Sequence, residues 1–471
     1  MAMAQLSQVL IAKRGQYTER RRESTRSLST VMHIRRRIGR KIGLVAALFL
    51  LIGPVALADT QAPVSAKPTP MPGIVIEADA SLFMSSGRED MDAWRDSFFQ
   101  RATAAGRDPV IVQSLLSDIR PLSIYLGDEF TETTTDIADQ AEFRKPIWQY
   151  VEDAVTESRL ERGASELAGM SETFEAIEAR FGVDREVLTA IWAMETNLGS
   201  YIGSFDAANT LANMAVEGRR QGFAERELLA LIRILERGDV REQDLISGWA
   251  GAMGQTQFMP TTFLSYAIDF DGDGNKDLWN SPTDALASAA NYLASSGYQM
   301  EQPWGIEVIA PKHFNWALAD GQSRRLSTWK SEGVSRINGK PFQIAEGAFA
   351  ELWLPAGANG PKYLLLKNFE VFKTYNRSDS YALSVGLLAD GMVGVPGPIG
   401  IWPRDLGLLS QQDIMDLQAG LNGLGYGAGP VDGIAGRGTK AALRAFQLDY
   451  GLLADGYPTQ SVLDYVLSAA G

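Results

Sequence analysis

Three short stretches of the chain carry residue types suited to chemistry. In DREVLTAIWAMETNLG, Asp184 is a candidate N-cap and Gly199 a candidate stop, which predicts a helix of three to four turns. Leu188, Ile191, Trp192 and Glu195 fall at offsets 0, 3, 4 and 7, so Glu195 shares the apolar, inward face. Desolvation disfavours the charged form of a carboxyl placed there, which suits a general acid at neutral pH. Helix position alone leaves the alternative of a buried Glu satisfied by an Arg or by backbone amides. The second stretch is GAMGQTQFMPTTF, Gly251 to Phe263, preceded by Ser247-Gly248-Trp249. Two glycines, two glutamines and a proline in so short a run suit a loop whose backbone lies close to a ligand and whose amides bind hydroxyl or acetamido groups. In the third, Asp269, Asp271, Asp273, Gly274 and Asp277 fit positions 1, 3, 5, 6 and 9 of a calcium loop. Position 12 is Asn280, which lacks the bidentate carboxylate, so the alternative is an Asx-Gly turn without metal.

Other chemistries are excluded by composition. The 471 residues include no Cys and two His, His33 and His313, so disulfides, thiolate metal sites, a Cys nucleophile and a His-based relay are ruled out or nearly so. Residues 1–58 hold 11 basic and 2 acidic residues, whereas the remaining 413 hold 33 and 55, a net of −22. So acidic a body is a poor partner for nucleic acid.

The elements that must position these residues follow from composition and spacing. Five basic residues from Arg35 to Lys41 precede the apolar run Ile42 to Leu57, which ends in Ala56-Leu57-Ala58; this predicts a secretory signal over 1–58 cleaved near Ala58, with an uncleaved membrane anchor as the alternative. Residues 1–31 read as an over-long start, with Met32 the preferred initiator. A Pro-rich tether follows over 59–87. From Asp90 to about Gly251 apolar residues recur at helical spacing, short strand-like runs appear between Ile306 and Leu366, and helical spacing returns at Tyr381 to Asp390. Val393 to Trp402, rich in Gly and Pro, reads as a boundary, so a chain ending after about Pro403 is expected to keep a folded, active body. The organisation is therefore mainly α: a catalytic body over 88–403 with a small inserted β region, and a small domain over 404–471.

AIWAMETNLGSYIG and GWAGAMGQTQFMP, followed by DFDGDGNKDLWNSPTDALASAANYL and YNRSDSYALSVGLLAD, resemble the membrane-bound lytic murein transglycosylase B family, whose fold is lysozyme-like. The likeness spans roughly residues 90 to 400. It implies that Glu195 is catalytic, that Gln257, Tyr292, Tyr375, Asn376 and Tyr381 line the substrate site, and that the chemistry needs no cofactor. Some relatives bind calcium in a longer loop ending at an aspartate matching Asp284; the calcium set is then Asp269, Asp271, Asp273, Asn275 and Asp284. In the family one glutamate protonates the bond between N-acetylmuramic acid and N-acetylglucosamine and then activates the C6 hydroxyl, giving a 1,6-anhydro sugar without water. A hydrolytic glycosidase needs two carboxylates across the bond, and neither GWAGAMGQTQFMP nor YNRS contains an acid. A lysozyme-type hydrolase and a non-catalytic wall-binding scaffold are the competing readings. The sequence departs from the family at Gly248, where relatives carry Ser before the Trp.

Beyond residue 404, LQAGLNGLGYGAGPVDGIAGRGTKAALRAFQLDYGLLADG resembles the three-helix peptidoglycan-binding domain of wall hydrolases, with Ala442, Phe446 and Leu453 expected in its core. The expected partner is the peptidoglycan glycan strand, met in the periplasm by a monomer.

Overall fold

The computed structural model describes residues 82–125, 145–218, 220–406 and 409–471; the signal stretch 1–58 and most of the tether lie outside them. Helices dominate, as the 3.6-residue spacing requires. In chain order they begin with α1 (Glu89–Ala104), α2 (Pro109–Leu116), α3 (Ile147–Ala154), α4 (Glu157–Gly169), α5 (Ser171–Phe181) and α6 (Arg185–Thr196). A two-residue antiparallel pair, β1 (Phe205–Asp206) and β2 (Ile246–Ser247), brackets α7 (Ala207–Glu217) and α8 (Gln221–Arg237). Short α9 (Pro260–Tyr266) and longer α10 (Pro282–Ser295) both carry Pro in the first turn, where its missing N–H is harmless.

Two apolar cores result. One gathers around α6, with Ile191 and Trp192 packed among Phe174, Leu286, Phe372 and Tyr381. The other gathers Met91, Leu116, Leu211, Leu228 and Phe263 around α7 and α8. Helix α10 contributes to both, Ala285 to the second and Leu286 to the first, and Tyr375 packs against both. Helix α6 thus lies in the first core, close to where α10 and Tyr375 join it to the second.

The inserted region folds as an antiparallel sheet in the order β4 (Ser323–Arg325), β6 (Phe349–Trp353), β7 (Tyr363–Leu365), β3 (Gly305–Ile309), β5 (Ser335–Arg336), with α11 (Leu326–Ser331) between β4 and β5 in sequence. Leu352 opposes Leu364, which opposes Ile306, and Trp329 caps this apolar face, its indole N–H donating to the Ala350 carbonyl at 2.8 Å. Chain return from the sheet builds α12 (Lys367–Phe372) and α13 (Asp379–Met392). Val393 to Trp402, read above as a boundary, is held to the body: Ile399 and Gly400 N–H groups donate to Glu307 (2.9 and 2.7 Å) and Trp402 packs on Trp148 with centroids 6.4 Å apart; just beyond it, Arg404 pairs with Glu152.

The last domain is three helices, α14 (Gln411–Gly423), α15 (Arg437–Asp449) and α16 (Gln460–Ala470). Ser410 opens the first with a capping box to Asp413. Ala442 and Phe446 are buried, as expected from the sequence, but Leu453 is not: it is 46% exposed, and Leu452 packs against the core in its place. The turn after α15 carries no helical period, so spacing could not choose between the two leucines.

Candidate active site

Helix α6 begins at Arg185 as predicted from Asp184. The Asp184 carboxylate does not cap it, however; it accepts from the Tyr298 hydroxyl at 2.8 Å and the Glu301 N–H at 3.2 Å. The helix ends abruptly because Asn197, Leu198 and Gly199 all adopt left-handed φ (52°, 62° and 73°), a turn held by Arg162, which donates to both the side chain and the carbonyl of Asn197. Leu188, Ile191 and Trp192 are buried, and Glu195, one turn on, is half-buried at the end of their face. The Tyr381 hydroxyl donates to Glu195 Oε1 at 2.5 Å across 186 residues of sequence.

The loop Gly248 to Met259 is fastened to this helix by Gln255. Its Oε1 accepts from Trp192 Nε1 at 3.0 Å, its Nε2 donates to the Trp279 carbonyl at 3.0 Å, and its own carbonyl accepts from the Thr196 hydroxyl at 2.6 Å. Only 5% of this residue is exposed. The two glutamines that look equivalent in sequence therefore differ: Gln255 is a buried brace for the turn that presents Glu195, while Gln257 is half-buried with φ +46°. Gln257 Nε2 donates to the Gly254 carbonyl at 2.9 Å, which turns Oε1 toward Gly248, where an added Cβ would lie 3.0 Å from it. Gly254 is required here, since a Cβ at its φ of +69° would stand 2.7 Å from the Leu278 carbonyl oxygen. Ser247 does not substitute for a hydroxyl at position 248: it is fully buried and faces the carbonyls of Phe205 and Gly248.

The tyrosines form a wall. Tyr292 packs on Tyr375 (centroids 5.2 Å), Tyr266 (4.7 Å) and, edge-on, Phe258 (5.8 Å), and its hydroxyl donates to the Thr374 carbonyl at 2.8 Å. It thereby holds the segment that carries Tyr375. The Tyr375 hydroxyl is buried and meets no protein hydrogen-bond partner. Burial, and then the charge of Glu195, push the hydroxyls of Tyr375 and Tyr381 well above the ordinary tyrosine value. Asn376 Oδ1 accepts from the Ser378 N–H at 2.9 Å, and Ser378 caps α13 at Tyr381, so Asn376 shapes the entry to the helix that delivers Tyr381. Gln255 and the docking role of Tyr292 were not readable from spacing; the signal for Gln255 was its place in the Gly-rich run.

In the acidic loop, Asp269, Asp271 and Asp273 bring one carboxylate oxygen each within 4.8 Å of one another. Asn275 donates its side-chain amide to Asp273 Oδ1 at 3.2 Å. Asp284, by contrast, is fully buried and clamps backbone: its oxygens accept from the N–H groups of Phe270, Asp271 and Asp277, and it lies outside the cluster of three. Burial raises its pKa, against the pull of those amides.

A helix-borne glutamate, a glycine- and glutamine-rich loop and a tyrosine wall on a lysozyme-like helical body define a glycan-cleaving domain of the soluble-lytic-transglycosylase class. The Transglycosylase SLT domain model matches residues 90–390, more than half of the chain, and the chain belongs to that family. The model of a putative peptidoglycan binding domain matches residues 410–465. Among solved structures, the chain is similar to SltB3 from Pseudomonas aeruginosa, solved in complex with NAG-anhNAM-pentapeptide and with NAG-NAM-pentapeptide; identity to the first is 42%, with a TM-score of 0.75, over 81% of this chain and 100% of that one. It is 24% identical to membrane-bound lytic murein transglycosylase B of Escherichia coli (strain K12) over 69% of this chain and 89% of that protein. The fold is shared with Escherichia coli Slt35, solved in complex with calcium, at 23% identity and a TM-score of 0.52 over 63% of this chain and 92% of that one.

Proposed function

We propose that this lytic transglycosylase cleaves the glycan strand of peptidoglycan with Glu195 acting first as acid and then as base. Tyr381 occupies Oε1 at 2.5 Å, so the transferable proton belongs on Oε2. That proton passes to the oxygen linking N-acetylmuramic acid to N-acetylglucosamine as the C1–O bond breaks. The carboxylate left behind takes the proton of the C6 hydroxyl while O6 bonds to C1, so the substrate gains no water. Gln257 Oε1 is an acceptor for an acetamido N–H, the Tyr375 hydroxyl is a donor to a sugar oxygen, and the Tyr292–Tyr375 wall supplies faces for sugar rings. The observation that carries this reading is the Tyr381–Glu195 hydrogen bond, which ties one carboxyl to the core around α6. The likeness to SltB3, seen with an anhydro-sugar peptide, supports it.

Incubating the protein with murein sacculi is expected to release muropeptides lighter by one water than hydrolysis products. Mass spectra showing hydrated reducing ends would sink the lyase reading, and no soluble product at all would favour a scaffold. The reading includes export by residues 1–58, which places the enzyme with its substrate in the periplasm. No helix among the described residues is long and apolar enough to cross a membrane.

The loop of Asp269, Asp271 and Asp273, with Asn275 beside it, suits a weak structural calcium site, in which Asp284 organises the backbone of the loop. Three converging carboxylates repel one another unless a cation compensates. With Kd in the range of roughly 10⁻⁴ to 10⁻³ M, calcium at about five times Kd stabilises the fold by about 1 kcal/mol, a rise in Tm of about 1–2 °C. Magnesium, with its tight octahedral shell, is expected to do less. Calorimetry at millimolar calcium with neither heat nor a Tm shift would remove the site.

A further inference from the structure

The tip of the Gly-rich loop is a tight hairpin in which Met253 and Phe258 exchange backbone hydrogen bonds (2.8 and 2.9 Å) around Gly254 to Gln257. Gln255 plugs this tip into the body through its backbone and its side chain alike. Toward α6, its Oε1 accepts from the Trp192 indole at 3.0 Å and its carbonyl from the Thr196 hydroxyl at 2.6 Å. Toward the stretch that precedes α10, its N–H donates to the Leu278 carbonyl at 2.8 Å and its Nε2 to that of Trp279 at 3.0 Å. Trp192 and Thr196 bracket Glu195 in the helix. The Trp279 indole in turn donates to the Ile246 carbonyl at 2.7 Å, so the same tryptophan holds the start of the loop and, through Gln255, its tip.

The turn that ends α6 lies on this amide. Thr196 Oγ1, while donating to Gln255, accepts from the Gly199 N–H at 3.0 Å, and a Cβ on Gly199 would stand 2.6 Å from Gln255 Oε1. Between them Asn197 and Leu198 keep left-handed φ, a conformation unfavourable for Leu that persists only where its surroundings impose it. Arg162 holds that turn from the exposed side and Gln255 from the buried side. Two residues beyond Gln255, Gln257 has its Nε2 on the Gly254 carbonyl, which fixes where its Oε1 faces. One buried side chain therefore spans the helix end that carries Glu195 and the hairpin that carries Gln257. Its side-chain partners are one donor and one acceptor, a demand that a neutral amide meets and an apolar or ionised side chain does not.

We propose that Gln255 is a positioning residue for the reaction: by tying Trp192, Thr196 and Trp279 to one amide it sets the distance and angle between the Glu195 carboxyl and Gln257, so that proton transfer and acetamido binding act on one bound disaccharide. The inference rests on the glycan-cleaving reading above. Small displacements of a reacting group carry large rate penalties, so loss of the brace is expressed in turnover more than in binding.

The test uses the full chain with Gln255→Met, Gln255→Glu, Thr196→Val and Thr196→Ser, assayed on soluble, uncrosslinked murein glycan chains well below the Tm of each variant. Gln255→Met keeps the size but removes the donor and the acceptor, and kcat is expected to fall by about 10- to 100-fold with KM changed less than about threefold. Thr196→Val should lose about three- to tenfold in kcat and Thr196→Ser should recover most of it, because serine keeps the hydroxyl that meets Gln255. Gln255→Glu carries a signature that packing alone would not produce. Ionised, it meets the Trp279 carbonyl with a second acceptor; protonated, it again supplies one donor and one acceptor. Burial raises the pKa of such a carboxyl, so its kcat relative to the parent is expected to climb by about tenfold as pH falls from about 8 to about 5, while the ratio for Gln255→Met stays flat. Parent-level kcat in Gln255→Met, a loss carried by KM alone, an equal loss in Thr196→Ser and Thr196→Val, or a deficit in Gln255→Glu that does not shrink with falling pH would each overturn the proposal. Should Gln255→Met not fold, the two Thr196 variants and the pH dependence of Gln255→Glu decide. Absence of anhydro product from the parent itself would instead count against the glycan-cleaving reading, so the two failures are distinguishable.

Discussion

Glu195→Gln is expected to lose nearly all turnover, by about 10³-fold or more, while retention on murein sacculi is unchanged. The substitution keeps the shape and the acceptor oxygen that Tyr381 meets, but it removes the carboxyl that gives one proton to the leaving oxygen and then takes another from the C6 hydroxyl. General acid and general base contributions are each worth about 10²–10⁴-fold, and both are lost together when one residue supplies them. Packing is disturbed little, because Leu188, Ile191 and Trp192 rather than Glu195 anchor the helix in the core. The measurement is the rate of anhydromuropeptide release together with sedimentation on sacculi. Parent-like release from the variant would refute the assignment of Glu195.

Tyr381→Phe is expected to lower kcat by about 10- to 100-fold with KM little changed, the equivalent of a charge-assisted hydrogen bond of about 1.5–3 kcal/mol. The ring stays buried in the core around α6, so the fold is retained. What disappears is the 2.5 Å donor that fixes which Glu195 oxygen carries the proton and steadies the carboxylate once the proton has left. Burial and the Glu195 charge keep the phenol protonated well beyond neutrality. It therefore donates throughout the working range, and the loss should be nearly constant from about pH 5 to pH 8. Steady-state kinetics at several pH values provide the check. An unchanged kcat, or a loss expressed only in KM, would show that Tyr381 packs the core without orienting Glu195.

The placement of Glu195 on a helix was readable in the sequence because a helix face is a local property. Offsets of 0, 3, 4 and 7 from Leu188 decide which side chains share it, whatever the rest of the chain does. The same holds for the Gly-rich run, whose composition excludes a regular element. Turn chemistry also sufficed for the acidic loop, where Gly272 and Gly274 adopt φ of +81° and +96° between the aspartates.

Pairing was not readable, since no period relates residues 186 positions apart: Tyr381 reaches Glu195 only because α13 packs against α6. Spacing likewise left the two glutamines alike, and only the family resemblance pointed to Gln257. Gln255 and Gln257 differ only in that the first meets Trp192 and Trp279, two partners brought in by folding, and a buried amide that satisfies both cannot also bind a sugar. Asp284 likewise sits at the end of the acidic loop in sequence, yet its oxygens serve three backbone N–H groups because α10 buries it. By itself the sequence determined the elements and the module order, consequences of local spacing and composition, and it placed Glu195 on an inward helix face, while only the family resemblance turned that residue into a catalytic candidate. Tertiary structure alone decided which donor meets that carboxyl and where the C-terminal module rests, because those are set by long-range packing and hydrogen bonds between segments that carry no shared sequence signal.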